Sequence, residues 1–269
     1  MADDVLYEVR DGVALLTFNR PDRMNGWTTD MEDRYLDLLL QAEVDTDVRA
    51  IVVTGAGRAF CPGADLEALE AGARGEPLLF GSLKRRPVTL PLGIKKPIVG
   101  AINGAAAGVG LVNALMFDVR FVAAGAKFTF AFSQRGLVAE YGVSWLLPRL
   151  IGTSRALDLL LSSRVVVADE ALALGLVNRV VEAEQLLPEA LAYAGQLAAT
   201  CSPASMAVIK QQVYADATVD LETARVRSAK LMARSFPGAD FKEGVASYLE
   251  KRGAAFPPLG EGSAFDLDV

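Results

Sequence analysis

The chain has 269 residues, and 27 Lys plus Arg against 33 Asp plus Glu leave a formal net charge of −6. With 52% hydrophobic and 22% charged residues it carries enough apolar material for a sizeable core, and its acidic balance argues against nucleic acid as a general partner. It contains no histidine, which excludes Ser-His-Asp and Cys-His catalysis, His-ligated zinc and imidazole proton relays; any general acid or base must be Asp, Glu, Lys, Tyr or Cys.

At roughly 150 residues per domain the length implies one to two domains. Cys61 and Cys201 are too few for a disulfide framework or a four-cysteine metal site, so no metal and a reducing, cytoplasmic location are expected. The acidic start Met1-Ala2-Asp3-Asp4 does not read as a signal peptide.

In chain order, Val5, Tyr7 and Val9 alternate, Asp11-Gly12 marks a tight turn, and Val13 to Phe18 returns, which predicts a hairpin. Thr29 followed by Glu32 reads as a capping box. Met31, Tyr35, Leu38, Leu39 and Ala42 then follow helical spacing. Val48 to Thr54, bounded by Gly55 and Gly57, reads as a buried parallel strand, and Ile98 to Ile102 as another. Strands alternating with helices predict an α/β fold.

Residues 71–95, with Pro77, Pro87, Pro91 and the cluster Lys84-Arg85-Arg86, suggest a surface excursion. The basic cluster fits either a phosphate contact or a solvated charged face. Pro97 to Phe117 runs without a charge for long enough to span a bilayer, but Asn103, Asn113 and four glycines favour a buried strand, a glycine-rich turn and a buried helix. Asp169 to Leu174 reads as a short helix stopped by Gly175, with a strand over Leu176 to Val181. From about Leu186 to Arg252 the pattern is helical. It is apolar enough that the core or another subunit should cover it.

Three constellations carry chemical information. Arg58-Ala59-Phe60-Cys61-Pro62-Gly63-Ala64-Asp65-Leu66 follows a predicted strand and opens a helix that Asp65 can cap. Its N–H groups suit a negative oxygen, although an ordinary strand-to-helix turn would look the same. Asn103 to Gly110 repeats the arrangement. Its glycine spacing also mimics a dinucleotide fingerprint, but no Tyr-x-x-x-Lys accompanies it. In Gly136 to Gly142, Glu140 is a lone carboxylate in apolar surroundings. It is either a group tuned upward for proton transfer or a solvated residue at a helix start.

In this order and spacing the three segments resemble the crotonase (enoyl-CoA hydratase/isomerase) superfamily. Arg20-Pro21 near Asn25, Asp118, Ala126-Lys127-Phe128, Lys242-Glu243-Gly244 and Tyr248 to Arg252 extend the likeness over nearly the whole chain. The resemblance implies a ββα spiral core over residues 1–195, followed by a helical trimerisation region over 196–269, with trimers often paired into hexamers. It implies a coenzyme A thioester substrate, with no separate cofactor and with neither nucleic acid nor membrane as partner. The shared chemistry is a thioester enolate held by two backbone N–H groups, which map to Ala64 and Val109. Ligand contacts map to Arg23, Met24, Ala59, Phe60, Asp65, Leu66 and Gly108, and to Tyr248 and Lys251, often from a neighbouring subunit. Asp118 maps to a structural position.

The departures narrow the activity. Hydratases of this family place two glutamates on one water, and those positions are Val112 and Phe132 here. Glu140 instead resembles the single acidic residue of the Δ3,Δ2-enoyl-CoA isomerases, and of a related branch that isomerises ring-epoxide acyl-CoAs. The resemblance therefore implies a double-bond shift with Glu140 as acid and base. Hydration in acyl-CoA breakdown, or acyl-CoA binding without turnover, are the alternatives.

Overall fold

The computed structural model describes residues 3–76 and 84–259. Its first elements are the expected hairpin, β1 (Val5–Arg10) and β2 (Val13–Phe18), paired antiparallel. Asp11 and Gly12 both have positive φ, 51° and 78°, so the two-residue turn twists in the sense of its strands.

Helix α1 (Thr29–Val44) follows, with its cap one residue earlier than the sequence suggested. Thr28, not Thr29, accepts from Met31 N at 3.2 Å. Glu32 takes no part in a capping box. It is 1% exposed and accepts from Trp27 Nε1 at 3.1 Å and Arg85 Nε at 3.3 Å. A buried carboxylate requires such partners, and these draw its side chain into the core rather than back to the helix end.

The chain then adds strands in pairs. β3 (Ala50–Gly55) and β4 (Ala59–Cys61) lead into α2 (Leu66–Ala73). After α3 (Leu90–Gly93), β5 (Ile98–Ile102) and β6 (Ala105–Ala107) lead into α4 (Gly108–Leu115). β7 (Val119–Ala123) and β8 (Lys127–Thr129) lead through a 3-10 turn, Ser133–Arg135, into α5 (Val143–Ile151) and α6 (Thr153–Ser162). β9 (Val166–Val167), α7 (Ala168–Leu174) and β10 (Arg179–Val181) close the spiral, with Gly175 at φ 82° ending α7. In the three pairs from β3 to β8 the first strand joins the larger sheet, ordered β1-β2-β3-β5-β7-β10, and the second joins the smaller, ordered β4-β6-β8-β9. β9 and β10 take the reverse order. Three successive turns thus stack strand on strand and bring the junctions after β4, β6 and β8 to one end.

The larger sheet is covered on both faces. On one face α1, α4 and α5 contribute to the main core, including Trp27, Tyr35, Phe60 and Phe117. On the other, α8 (Ala183–Thr200) lays Leu186, Ala190, Ala194 and Ala198 on Val13, Val52, Val99 and Phe121. Burial on two faces explains the unbroken apolar runs of the parallel strands. Among the described residues no helix is long and apolar enough to cross a membrane, and Pro97 to Phe117 forms β5, β6 and α4 as expected.

Of the expected surface excursion over 71–95, residues 77–83, with Pro77, lie outside the described residues, and residues 73–76, Lys84, Pro87 and Gly93 are exposed, but the segment is anchored at three points. Val88, Pro91 and Ile94 are buried. Lys96 Nζ donates to Ala42 O at 2.6 Å and Asp45 O at 2.5 Å at the end of α1. Within the basic cluster, Arg85 leaves the solvated face to pair with Glu32 and Asp33, while Arg86 pairs with Asp37 at an exposed site, all three carboxylates being on α1.

Three further helices complete the chain: α9 (Pro203–Asp216), α10 (Leu221–Ser235) and α11 (Ala239–Glu250). Lys210 ties α9 to the spiral, donating to Asp118 Oδ2 at 2.8 Å and to the carbonyls of Pro91 and Lys96 at 3.3 Å. Asp118 Oδ2 also accepts from Ile98 N at 2.7 Å, in keeping with its structural position. Ile209, Val213, Leu221, Met232, Tyr248 and Leu249 remain exposed on these helices.

Candidate active site

The junctions after β4, β6 and β8 surround a cavity of about 550 Å³. Its first wall is the Pro62–Asp65 turn. Gly63 has φ 111°, which L side chains rarely adopt, and a Cβ there would press on Ala107 O at 3.3 Å. Trp27 N donates to Gly63 O at 2.8 Å and Asp65 N to Trp27 O at 2.9 Å, a single parallel bridge around Ala64. The Ala64 N–H lies between these bonds and has no partner among the described residues.

Asn25 ties the segment leading into Trp27 to the turn between β3 and β4. Its buried amide donates to Ala56 O at 2.9 Å and Ala59 O at 2.8 Å, and its oxygen accepts from Arg20 N at 2.8 Å. Asp65 caps α2 through Glu67 N at 3.1 Å and pairs with Arg20 at 3.1 Å. Both carboxylate oxygens of Asp65 are thus engaged within the protein.

The second wall is the start of α4. Val109 is its second residue, so its N–H lies in the first turn, where a helix offers no internal acceptor. Gly108, at φ 47°, precedes it, and Gly63 Cα would lie 3.8 Å from a Cβ at Gly108. Two strand-to-helix turns therefore meet backbone to backbone, each bringing one unpaired N–H to the cavity. Such donors stabilise a developing oxyanion, and one of them is worth ~3–4 kcal/mol in other enzymes.

The third wall runs from Phe130 to Tyr141 and carries Glu140. Glu140 sits just before α5, its carbonyl accepting from Val143 N at 3.0 Å. Among the described residues no cation or hydrogen-bond donor reaches its carboxylate. Burial raises its pKa above the ordinary carboxylate range. The helix start would favour the charged form, but burial prevails. Tyr141 beside it has φ 53° and a phenol pushed up by burial, then by Glu140 and Glu32.

The cavity brings together Arg23, Met24, Ala64, Asp65, Leu66, Gly108, Val109 and Glu140 from the sequence-derived set. Arg23 bridges to Glu67 at 3.0 Å, and Leu66 stands 73% exposed at the lip. Ala59 and Phe60 do not line it. Their side chains are fully buried in β4, Phe60 against Phe18 and Phe117. Tyr248, 83% exposed, and Lys251 lie on and just beyond α11, outside this cavity. Val112 is sealed in the core, while Phe132 lines the cavity with an apolar ring.

Arg135, Leu137 and Tyr141 also line the cavity and were not singled out from sequence. Their place depends on how the Phe130–Gly142 segment folds back on the turns. The sequence signals of that folding were only Gly136 and Gly142, both at positive φ.

Residues 8–258 match the family model described as enoyl-CoA hydratase/isomerase. The chain belongs to the enoyl-CoA hydratase/isomerase family. It is 35% identical over 264 residues to a 1,2-epoxyphenylacetyl-CoA isomerase of Escherichia coli K12, covering 95% of this chain and 99% of that one. Among solved structures, an enoyl-CoA hydratase from Mycobacterium marinum is 50% identical over 81% of this chain and all of that one, with a TM-score of 0.69. One from Polaromonas sp. JS666 is 30% identical, covers 94% of this chain and 99% of that one, and has a TM-score of 0.87. The alternating strand pairs are thus the crotonase ββα spiral, and members of this family act on acyl-CoA substrates.

Proposed function

We propose that the protein is an acyl-CoA isomerase in which Glu140 moves a proton along the acyl chain while the Ala64 and Val109 N–H groups hold the thioester oxygen. One observation carries this reading: the unpartnered, burial-tuned carboxylate of Glu140 shares a cavity with two unpaired backbone donors. With a 3-enoyl thioester, ionised Glu140 takes a proton from C2. The electron pair moves onto the thioester oxygen, where the two N–H groups compensate the charge. The protonated Glu140 returns the proton at C4, the double bond forms between C2 and C3, and the carboxylate is restored. One carboxylate serves both transfers, so no bound cofactor is required; coenzyme A enters as part of the substrate.

Hydration is the second reading, since relatives carry that name. Against it stand Val112 and Phe132, whose side chains cannot move a proton. Acyl-CoA binding without turnover is the third. The name of the Escherichia coli relative suggests ring-epoxide thioesters as an alternative substrate class.

In the same reading Arg23, Met24, Asp65, Leu66 and Gly108 border the coenzyme A arm. Tyr248 and Lys251 reach it from a neighbouring subunit of a homotrimer or hexamer. Residues 1–195 carry the site and residues 196–269 the assembly surface, whose exposed Ile209, Val213 and Leu249 a partner would cover. Two free cysteines suit the reducing cytoplasm.

The test follows the ultraviolet absorbance of the conjugated thioester. A rise with a 3-enoyl-CoA supports isomerisation. A fall with a 2-enoyl-CoA that yields the 3-hydroxyacyl-CoA means hydration and overturns the reading.

A further inference from the structure

One cation of the cavity has no role in the chemistry above. Arg135 ends the 3-10 turn Ser133–Arg135 and lines the cavity from the third wall, between the apolar runs Phe130–Phe132 and Leu137–Ala139. The turn that it ends is anchored through its three residues. Ser133 Oγ donates to Leu161 O at 2.8 Å and meets Ser163 Oγ at 2.8 Å, and Gln134 Nε2 donates to Ser162 O at 3.3 Å. Arg135 N donates to Phe132 O at 2.9 Å, and Gly136, at φ 69°, closes the turn.

The other cavity arginines are engaged: Arg23 with Glu67 at 3.0 Å, and Arg58 with Met24 Sδ at 3.3 Å. Arg135 has no carboxylate partner among the described residues. Nor does it neutralise Glu140, whose shift has burial as its sole cause. Arg135 is exposed at the rim of the cavity, on an anchored turn and without a carboxylate partner among the described residues, so its guanidinium is accessible to an anionic group that enters. Its planar fork matches the paired oxygens of a carboxylate or phosphate.

We infer that Arg135 is an anion-binding residue of this cavity, gripping an oxyanionic group of the substrate remote from the reacting carbons. The inference rests on the acyl-CoA reading. Two groups have this chemistry: a phosphate of the coenzyme A arm, and a carboxylate at the far end of the acyl chain.

The experiment is equilibrium titration of the full chain and of Arg135→Gln with three thioesters that cannot turn over: butyryl-CoA, butyryl-pantetheine and glutaryl-CoA. A charge-assisted contact is worth about tenfold or more in Kd. If a phosphate is held, Arg135→Gln weakens both CoA thioesters by about that factor and leaves butyryl-pantetheine unchanged. If an acyl carboxylate is held, the unaltered protein prefers glutaryl-CoA over butyryl-CoA, and Arg135→Gln removes the preference. Arg135→Lys, which keeps the charge without the fork, should fall between. Equal binding of all three probes by the unaltered protein and Arg135→Gln overturns the inference while leaving the acyl-CoA reading intact. Failure of the unaltered protein to bind any of them overturns both.

Discussion

Trp27 and Ala64 form a one-residue parallel bridge, with Trp27 N donating to Gly63 O at 2.8 Å and Asp65 N to Trp27 O at 2.9 Å. The bridge uses the backbone groups on either side of Ala64 and leaves the Ala64 N–H turned away from it. Trp27 is itself fully buried, edge-on to Phe18 and Tyr35, so the core fixes the position of this donor. An oxyanion hole is effective because its donors need not reorganise during the reaction, and here the rigidity is traceable to packing.

The second donor depends on a close approach. A Cβ on Gly110 would fall on Cys61, at 2.6 Å from its Cβ and 2.7 Å from its sulfur, and against its carbonyl oxygen. Gly110→Ala should push the start of α4 away from the Pro62–Asp65 turn. Overpacking of this kind costs ~1–3 kcal/mol. Thermal unfolding should show that loss, and the surviving folded protein should have reduced kcat because Val109 N is displaced.

Burial raises the pKa of Glu140, and its carboxylate form is the base. With a 3-enoyl-CoA, kcat/KM should therefore fall as pH drops through a value above the ordinary 4.5 of a glutamate. The stability effect has the opposite sense. A carboxyl group whose folded pKa is raised favours the folded state at low pH, and that contribution is lost as pH rises through the raised value. Glu140→Gln should accordingly not lower the melting temperature at neutral pH, although it removes turnover. A clear drop in melting temperature would assign Glu140 a structural role.

Lys210 and Asp118 carry the link between α9 and the spiral, at 2.8 Å in a buried setting. Lys210→Met should cost ~3–5 kcal/mol, because it leaves Asp118 buried without its cation. Burial already raises the Asp118 pKa, with Lys210 opposing that rise. Removing Lys210 lets it rise further. Denaturant titrations should therefore show the largest loss at neutral pH and a smaller one as acid protonates Asp118.

Much of this was legible in the sequence because local signals agreed with the fold. Asp11-Gly12 set the hairpin, glycines marked both donor turns, and Glu140 stood out in an apolar run without histidine elsewhere. What was not legible depends on distant partners. Thr28 and Thr29 are equivalent as caps until Glu32 is drawn to Trp27 and Arg85. Val88, Pro91 and Ile94 look like loop residues until the end of α1 and the side chain of Lys210 close over that segment. Ala59 and Phe60 share a motif with Ala64, yet β4 is covered on both faces, and that packing seals their side chains in the core. Arg135 and Tyr141 reach the cavity only through the fold of the third wall.

The most direct test of the central claim compares the protein with Glu140→Gln on a 3-enoyl-CoA, alongside titration with a saturated acyl-CoA. Loss of a positioned acid–base group costs about 10²–10⁴-fold in rate. The account predicts a fall in kcat of that order with the saturated thioester bound as tightly as before. Undiminished turnover by Glu140→Gln would contradict it.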